Sequence, residues 1–295
     1  MTGLHRFRPA LWAIPALFAF VSLSAADVGP SNGSLLIIGG GLRDEAILER
    51  FFELAGGLDA PVVVIPTAGG GRNYNENWRG LRLFRRIGAT NVTLLHTTDP
   101  EVADSEEFVE PIQKARGVYF TGGRQWRLAD AYLNTRTQRE LDALLERGGV
   151  IGGSSAGATI QGSYLVRGDS STNTIMMGDH LEGFGFLRNV GIDQHLLRRN
   201  RQFDMLEVVQ AHPDLLGIGI DENTAIVVQG DRFEVIGQGY VAIYDSKKTI
   251  PPHGGFYFLA PGDRFDLKNR QASRPRQTFE PLERVVERGG EVKKP

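Results

Sequence analysis

The segment Gly153-Ser154-Ser155-Ala156-Gly157 constrains this chain more than any other. It follows the apolar pair Val150-Ile151 and leads into Ala158-Thr159-Ile160, residues small enough to begin a helix. Glycines two residues before and two after a serine permit a sharp strand-to-helix turn with the hydroxyl at its tip. So tight a turn leaves no room for bulky side chains. At the start of the following helix, unpaired N–H groups favour developing negative charge. Those are the requirements of a serine nucleophile. A Gly/Ser-rich βα loop without chemistry, or one that cradles a phosphate, would carry the same letters, so the partners of Ser155 have to decide.

The 295 residues suffice for one large α/β domain, and the 41% hydrophobic and 23% charged content is that of a globular protein. A net charge of −2 leaves no basic excess to neutralise phosphates, so no nucleic acid is expected as a partner. The N-terminus has its own logic. His5, Arg6 and Arg8 precede the apolar run Ala10–Val21, and Ser24-Ala25-Ala26 offers small residues for cleavage. That is the order of a secretory signal over residues 1–26, too short and too broken by Pro15 for a stable membrane span after processing. The expectation is a periplasmic or secreted protein. There is no cysteine, which rules out a thiol nucleophile, a disulfide or a thiolate metal site.

Short apolar runs at Ser34–Ile38 and Pro61–Ile65 suit strands buried on both faces of a parallel sheet. Helical spacing at Asp44–Ala55, around Trp78–Phe84 and at Gln138–Arg147 alternates with strand-like Asn91–Leu95, Val118–Thr121 and Val150–Gly152. This alternation predicts a doubly wound α/β sandwich. After residue 216 the strand-like runs Ile218–Ile220, Thr224–Gln229, Arg232–Ile236 and Tyr240–Tyr244 follow closely, predicting an antiparallel C-terminal extension of the same sheet. The expected domain is 27–266, with a polar tail at 267–295.

A serine hydroxyl needs a base, usually histidine. His96, His180, His195, His212 and His253 remain once the leader is set aside. Any one of them is more often structural than catalytic, but His195 sits in the densest polar cluster, Asp193-Gln194-His195-Leu196-Leu197-Arg198-Arg199-Asn200-Arg201. The adjacent carboxylates Asp221 and Glu222, at the end of an apolar strand, can present an orienting acid or form a plain acidic turn. Two chain orders stay open on residues alone: Ser155, acid, His253, as in an α/β-hydrolase esterase, or Ser155, His195, Glu222. Gly39-Gly40-Gly41 lacks the spacing of a dinucleotide fingerprint. No cofactor and no metal site are expected, since no H-E-x-x-H or clustered ligand spacing stands out.

Four motifs together resemble the cyanophycinase family of serine peptidases: Tyr119–Gln125, Gly152–Ala158, Asp193–His195 with Arg199 and Arg201, and Gly217–Glu222. They fall in the family's order over residues 34–266. The resemblance implies a flavodoxin-like three-layer fold with a mostly parallel sheet, related to class I glutamine amidotransferases and shared with aspartyl dipeptidases. It implies Ser155 as nucleophile, His195 as general base and Glu222 as its orienting acid. The backbone N–H groups of Gly123 and Ala156 would form the oxyanion site. Gln125, Asp193, Gln194, Arg199 and Arg201 would line the substrate pocket.

The implied activity is that of an exopeptidase on aspartyl or β-aspartyl bonds, with cyanophycin, a polyaspartate bearing arginine on its β-carboxyls, as substrate and β-aspartyl-arginine as product. This chain departs from the family's pattern at two places: Arg124 stands where cyanophycin-degrading members have aspartate, and Asp204 where they have a third arginine. Both lie where substrate is read. An extracytoplasmic module that binds acidic peptides without cleaving them is therefore the non-enzymatic alternative. A chain of this kind suits a monomer or a homodimer equally.

Overall fold

The computed structural model describes residues 28–248 and 254–275. The leader at 1–26, His253 and the chain beyond 275 lie outside the described residues. Five parallel strands form the first half: β1 (Ser34–Ile38), β2 (Val62–Ile65), β3 (Val92–Leu94), β4 (Gly117–Phe120) and β5 (Val150–Ser154), in spatial order β3-β2-β4-β5-β1. Apart from β3, at the sheet edge, these short runs are almost wholly buried, as two-sided burial requires. The helices between them are α1 (Glu45–Ala55), α2 (Arg82–Arg86), α3 (Pro100–Ala103), α4 (Glu106–Lys114), α5 (Trp126–Tyr132) and α6 (Arg136–Glu146). α1 starts where the Asp44 carboxylate accepts from the Ala46 N–H, and stops at Gly56, whose φ of 108° suits glycine.

Beyond β5 come the single turn α7 (Ala156–Thr159), β6 (Gly162–Tyr164), β7 (Leu187–Gln194), α8 (Met205–Ala211) and β8 (Leu216–Ile220). They are followed by β9 (Thr224–Gln229), β10 (Arg232–Gly237), β11 (Val241–Tyr244), β12 (Tyr257–Leu259), β13 (Arg264–Asp266) and β14 (Gln271–Ser273). The α/β architecture is the expected one, but the late strands divide between two sheets. β9, β10, β13 and β14 extend the first sheet antiparallel from β1. β8 and β11 instead join β6, β7 and β12 in a second sheet, where β8 runs parallel to β7. The sequence could not separate the two sets, because both are apolar runs joined by short turns. β13 and β14 also carry the ordered fold past the expected boundary at 266, with Leu267 only 1% exposed and Arg274 paired with Asp263.

The main core lies between the sheets and beneath α4 to α6, and includes Ile37, Ile151, Ile192 and Ile218. On the opposite face of the first sheet, α1 and α2 bury Phe51, Phe52 and Phe84 over Leu36, Ile38 and Tyr119. A third cluster packs α8, through Met205 and Val208, on Tyr244 and Leu196 at the back of the second sheet. Over the parallel half this gives three layers; over the antiparallel half the second sheet takes the place of the helices and α8 adds a fourth.

Phe51 is fully buried and meets Tyr119 and Phe52 edge-on, at centroid separations of 5.6 and 5.4 Å. Substituting Phe51→Ala should lower unfolding free energy by about 3–5 kcal/mol in urea titrations, while leaving the folded protein's reactivity at Ser155 unchanged.

Candidate active site

β5 delivers Ser155 to the carboxyl edge of the parallel strands. Its backbone sits at φ 57°, ψ −112°, a conformation that side chains rarely adopt outside strained functional turns. The turn survives because the Ser155 N–H donates to the Ile38 carbonyl at 3.0 Å, and because glycine flanks it. A Cβ at Gly153 would fall 2.0 Å from the Gly157 carbonyl oxygen, and one at Gly157 2.2 Å from that of Phe120. The helix that follows is shorter than the sequence suggests. α7 spans four residues, Ala156–Thr159, so its dipole is small and any anion held here must be held by individual N–H groups.

The partner of Ser155 comes from the other sheet. His195 directly follows β7, and its Nε2 lies 2.9 Å from the Ser155 Oγ. Its Nδ1 lies 2.8 Å from Oε1 of Glu222, in the turn where the chain crosses from β8 in the second sheet to β9 in the first. Hydroxyl, imidazole and carboxylate therefore form one continuous chain of hydrogen bonds. His195 takes φ 54° and Asn223, after Glu222, φ 55°. The Asn223 side-chain carbonyl accepts from the N–H groups of Arg43 and Asp44, and its own N–H donates to Gly40.

Gly39-Gly40-Gly41 serves this same site. A Cβ on Gly40 would lie 2.3 Å from His195 Cε1, and one on Gly41 2.4 Å from Glu222 Oε2. The His195 N–H donates to the Gly39 carbonyl at 2.8 Å. These glycines form a bare floor beneath the imidazole and carboxylate. Sequence spacing could dismiss a nucleotide loop here but could not reveal this use, since the side chains in question lie far along the chain.

Burial lowers the pKa of His195 below its ordinary 6.5; the Glu222 bond pulls the other way, and Arg199 and Arg201 add to the lowering. Burial alone would raise the Glu222 carboxyl, but its bond to His195 and the charges of His195, Arg198 and Arg43 outweigh it and leave the pKa below the usual value. The resting pair at neutral pH is thus a neutral imidazole beside a carboxylate, which is the state a general base requires.

Gly122 and Gly123 follow β4. The Cβ position of Gly122 is 3.3 Å from Ser155 Cβ, which puts this loop against the hydroxyl. Gly123 takes φ 150°, and a side chain there would meet the Ala68 carbonyl oxygen at 2.0 Å.

Of the five residues expected to line the pocket, only Arg199 is exposed. Gln125, 1% exposed, gives its side-chain amide to the carbonyls of Val166 and Arg167, each at 2.8 Å. Asp193 is fully buried, and its carboxylate receives Nε and Nη2 of Arg167 at 2.7 and 2.9 Å. Arg201 gives Nη1 to both the backbone and side-chain carbonyls of Gln194 at 3.1 Å. Burial and the nearby Arg167 bring the pKa of Arg201 down to about 10. These four side chains are all buried and engaged in internal hydrogen bonds.

Arg167 itself escaped the sequence analysis. It is 1% exposed, and besides Asp193 it donates to Asp204 at 2.6 Å and to the Asn173 carbonyl at 3.1 Å. Burial opposes its charge, but Asp193 and Asp204 more than offset that and raise its pKa. Asp204, the departure from the family's third arginine, is thus paired internally. Arg124, the other departure, donates to the carbonyls of Asp169 and Thr172 at 2.6 and 2.8 Å. His180 bridges Asp179 and Asp130, and His96 bonds Thr67, so neither contributes to this hydrogen-bond chain. His253 lies outside the described residues.

Residues 35–236 match peptidase family S51. A cyanophycinase of Geminocystis herdmanii (strain PCC 6308) is 32% identical over 81% of this chain and 96% of its own length. A cyanophycinase of Nostoc sp. (strain PCC 7120) is 34% identical over 84% of this chain and 90% of its own. Among solved structures, a peptidase from an acI-B1 Actinobacterium superposes with a TM-score of 0.61 at 29% identity, covering 81% of this chain and 98% of that one. A putative peptidase E of Listeria monocytogenes EGD-e, at 17% identity and a TM-score of 0.52, shares the fold. The chain belongs to peptidase family S51 and is a serine peptidase.

Proposed function

We propose that this protein is an exopeptidase that hydrolyses aspartyl or β-aspartyl peptide bonds through Ser155, His195 and Glu222, with a cyanophycin-like polymer as substrate. The observation that carries this reading is the unbroken hydrogen-bond chain from the Ser155 hydroxyl through His195 to Glu222. The identity to two cyanophycinases over most of their length supports the substrate class. The leader-like residues 1–26 support action outside the cytoplasm.

In this mechanism Ser155 Oγ attacks the scissile carbonyl carbon while His195 Nε2 takes the hydroxyl proton. Glu222 accepts from Nδ1–H, fixes the tautomer and stabilises the imidazolium. The carbonyl oxygen, now an oxyanion, is held by the backbone N–H groups of Ala156 and Gly123. Loss of one such donor typically costs about 10²–10³ in rate. Collapse breaks the C–N bond, and His195 passes its proton to the departing amine. Water then attacks the acyl ester by the same route, and Ser155 regains its proton.

Ser155→Ala should abolish labelling by a serine-directed phosphonate without changing the unfolding midpoint; labelling that persists assigns the nucleophile elsewhere. The base works only as neutral imidazole, and burial places its pKa below 6.5. Accordingly kcat/KM should stay level as pH falls to that value and decline below it. Glu222→Gln removes an influence that raises the His195 pKa, so the acid limb should move lower still while the plateau falls on the order of 10⁴-fold. Gly40→Ala drives a methyl into the imidazole and should cost about 10²-fold in kcat, read by steady-state assay against unchanged circular dichroism.

A further inference from the structure

The charges around Ser155 are unevenly available. Four carboxylates near Ser155 and His195 accept internal hydrogen bonds. Glu222 holds His195, and Asp193 holds Arg167 with both oxygens while Oδ1 also accepts the Gln194 N–H. Asp221 accepts the N–H groups of Leu197 and Arg198. Asp204 keeps an exposed edge, but one oxygen is bonded to Arg167. Arg167 and Arg201 against Asp193 and Asp204 make a group of two positive and two negative charges, which offers an incoming cation no net attraction.

The positive side is open. Arg198 and Arg199 are exposed, and their guanidinium groups pair with no carboxylate among the described residues. Both lie within four residues of His195, and the Arg199 N–H donates to the His195 carbonyl at 3.0 Å. Near His195 the unpaired guanidinium groups are thus those of Arg198 and Arg199, while Asp193 and one oxygen of Asp204 are engaged by Arg167.

We propose that this pocket recognises its substrate by a carboxylate and takes no account of a guanidinium, because Arg167 already fills the acidic recess formed by Asp193 and Asp204. The substrate class is then a β-aspartyl peptide whose branch carries a free carboxylate, whatever the charge at the end of its side chain. This rests on the hydrolase reading above and narrows it. Arg199 is the guanidinium placed to meet the branch carboxylate, and Arg167 sets specificity without touching substrate.

Three oligoaspartate peptides separate the two charges. One is branched with arginine, one with citrulline, which keeps the carboxylate and loses the positive charge, and one with agmatine, which keeps the guanidinium and loses the carboxylate. The full chain should cleave the citrulline form within about threefold of the arginine form, and the agmatine form roughly tenfold or more slowly, the weight of a charge-assisted hydrogen bond. A citrulline form that is tenfold worse, with an agmatine form that matches arginine, overturns the proposal. Calorimetric binding of the same peptides to the Ser155→Ala variant reads recognition apart from chemistry. The predicted order of affinity without turnover in the unsubstituted protein would contradict the hydrolase reading and leave the charge assignment standing; the reverse order contradicts the assignment. In Arg199→Ala the difference between citrulline and agmatine forms should shrink, and Arg199→Lys should restore part of it.

Discussion

The contact between Ser155 and His195 spans two sheets, and the rest of the site depends on how those sheets are held. Ser155 leaves the first sheet at the end of β5, and His195 leaves the second at the end of β7. Two residues on separate sheets keep a 2.9 Å separation only if the sheet edges are tied together. The tie is short: the His195 N–H bonds to the Gly39 carbonyl at the end of β1, beside β5. Glu222 then occupies the turn by which the chain passes from β8 to β9, so the acid sits where the two sheets exchange the chain. Left-handed backbone at Ser155, His195 and Asn223 marks the cost of turning three side chains inward at one edge. The glycines at 39–41 and 122–123 accept that crowding because a Cβ at most of these positions would strike backbone, imidazole or carboxylate.

A second frame supports the first. The loop after β6 is gripped from the β4 side by Arg124 and Gln125, which donate to its carbonyls, and it sends Arg167 inward to Asp193, two residues before His195. Buried ion pairs of this kind contribute little to net stability, because desolvation consumes much of the Coulomb gain, but removing one partner is costly. Here the arrangement fixes the end of β7, and with it the imidazole. It also engages Asp193 with both oxygens and Asp204 with one. The two departures from the family's pattern, Arg124 and Asp204, are both absorbed into this frame.

Much of this was legible in the sequence because the relevant signals are local. The glycine spacing around Ser155 reports a backbone requirement at that position. Runs such as Ser34–Ile38 report burial on both faces, and the density of polar residues around His195 singled it out from four other histidines. What stayed hidden depends on partners distant in sequence. β7 carries Arg188, Asn189, Asp193 and Gln194 among its apolar residues, so it did not read as a strand; Asp193 is tolerated inside only because Arg167, 26 positions earlier, meets it. Assignment of β8 and β11 to a second sheet follows from the pairing of β8 with β7 and of β11 with β8, which no local pattern announces. Of the pocket residues inferred from the resemblance, Gln125, Asp193, Gln194 and Arg201 are buried, a matter of exposure that residue identity does not carry.

The central claim is that Ser155 forms the covalent intermediate, and the most direct test is to catch it. An aspartyl ester substrate mixed rapidly with the full chain and quenched in acid should leave an acyl group, mapped by mass spectrometry to the peptide that contains Ser155. Its amplitude should approach one group per chain. An adduct on any other residue, or turnover with no acyl-enzyme at any quench time, would contradict the account.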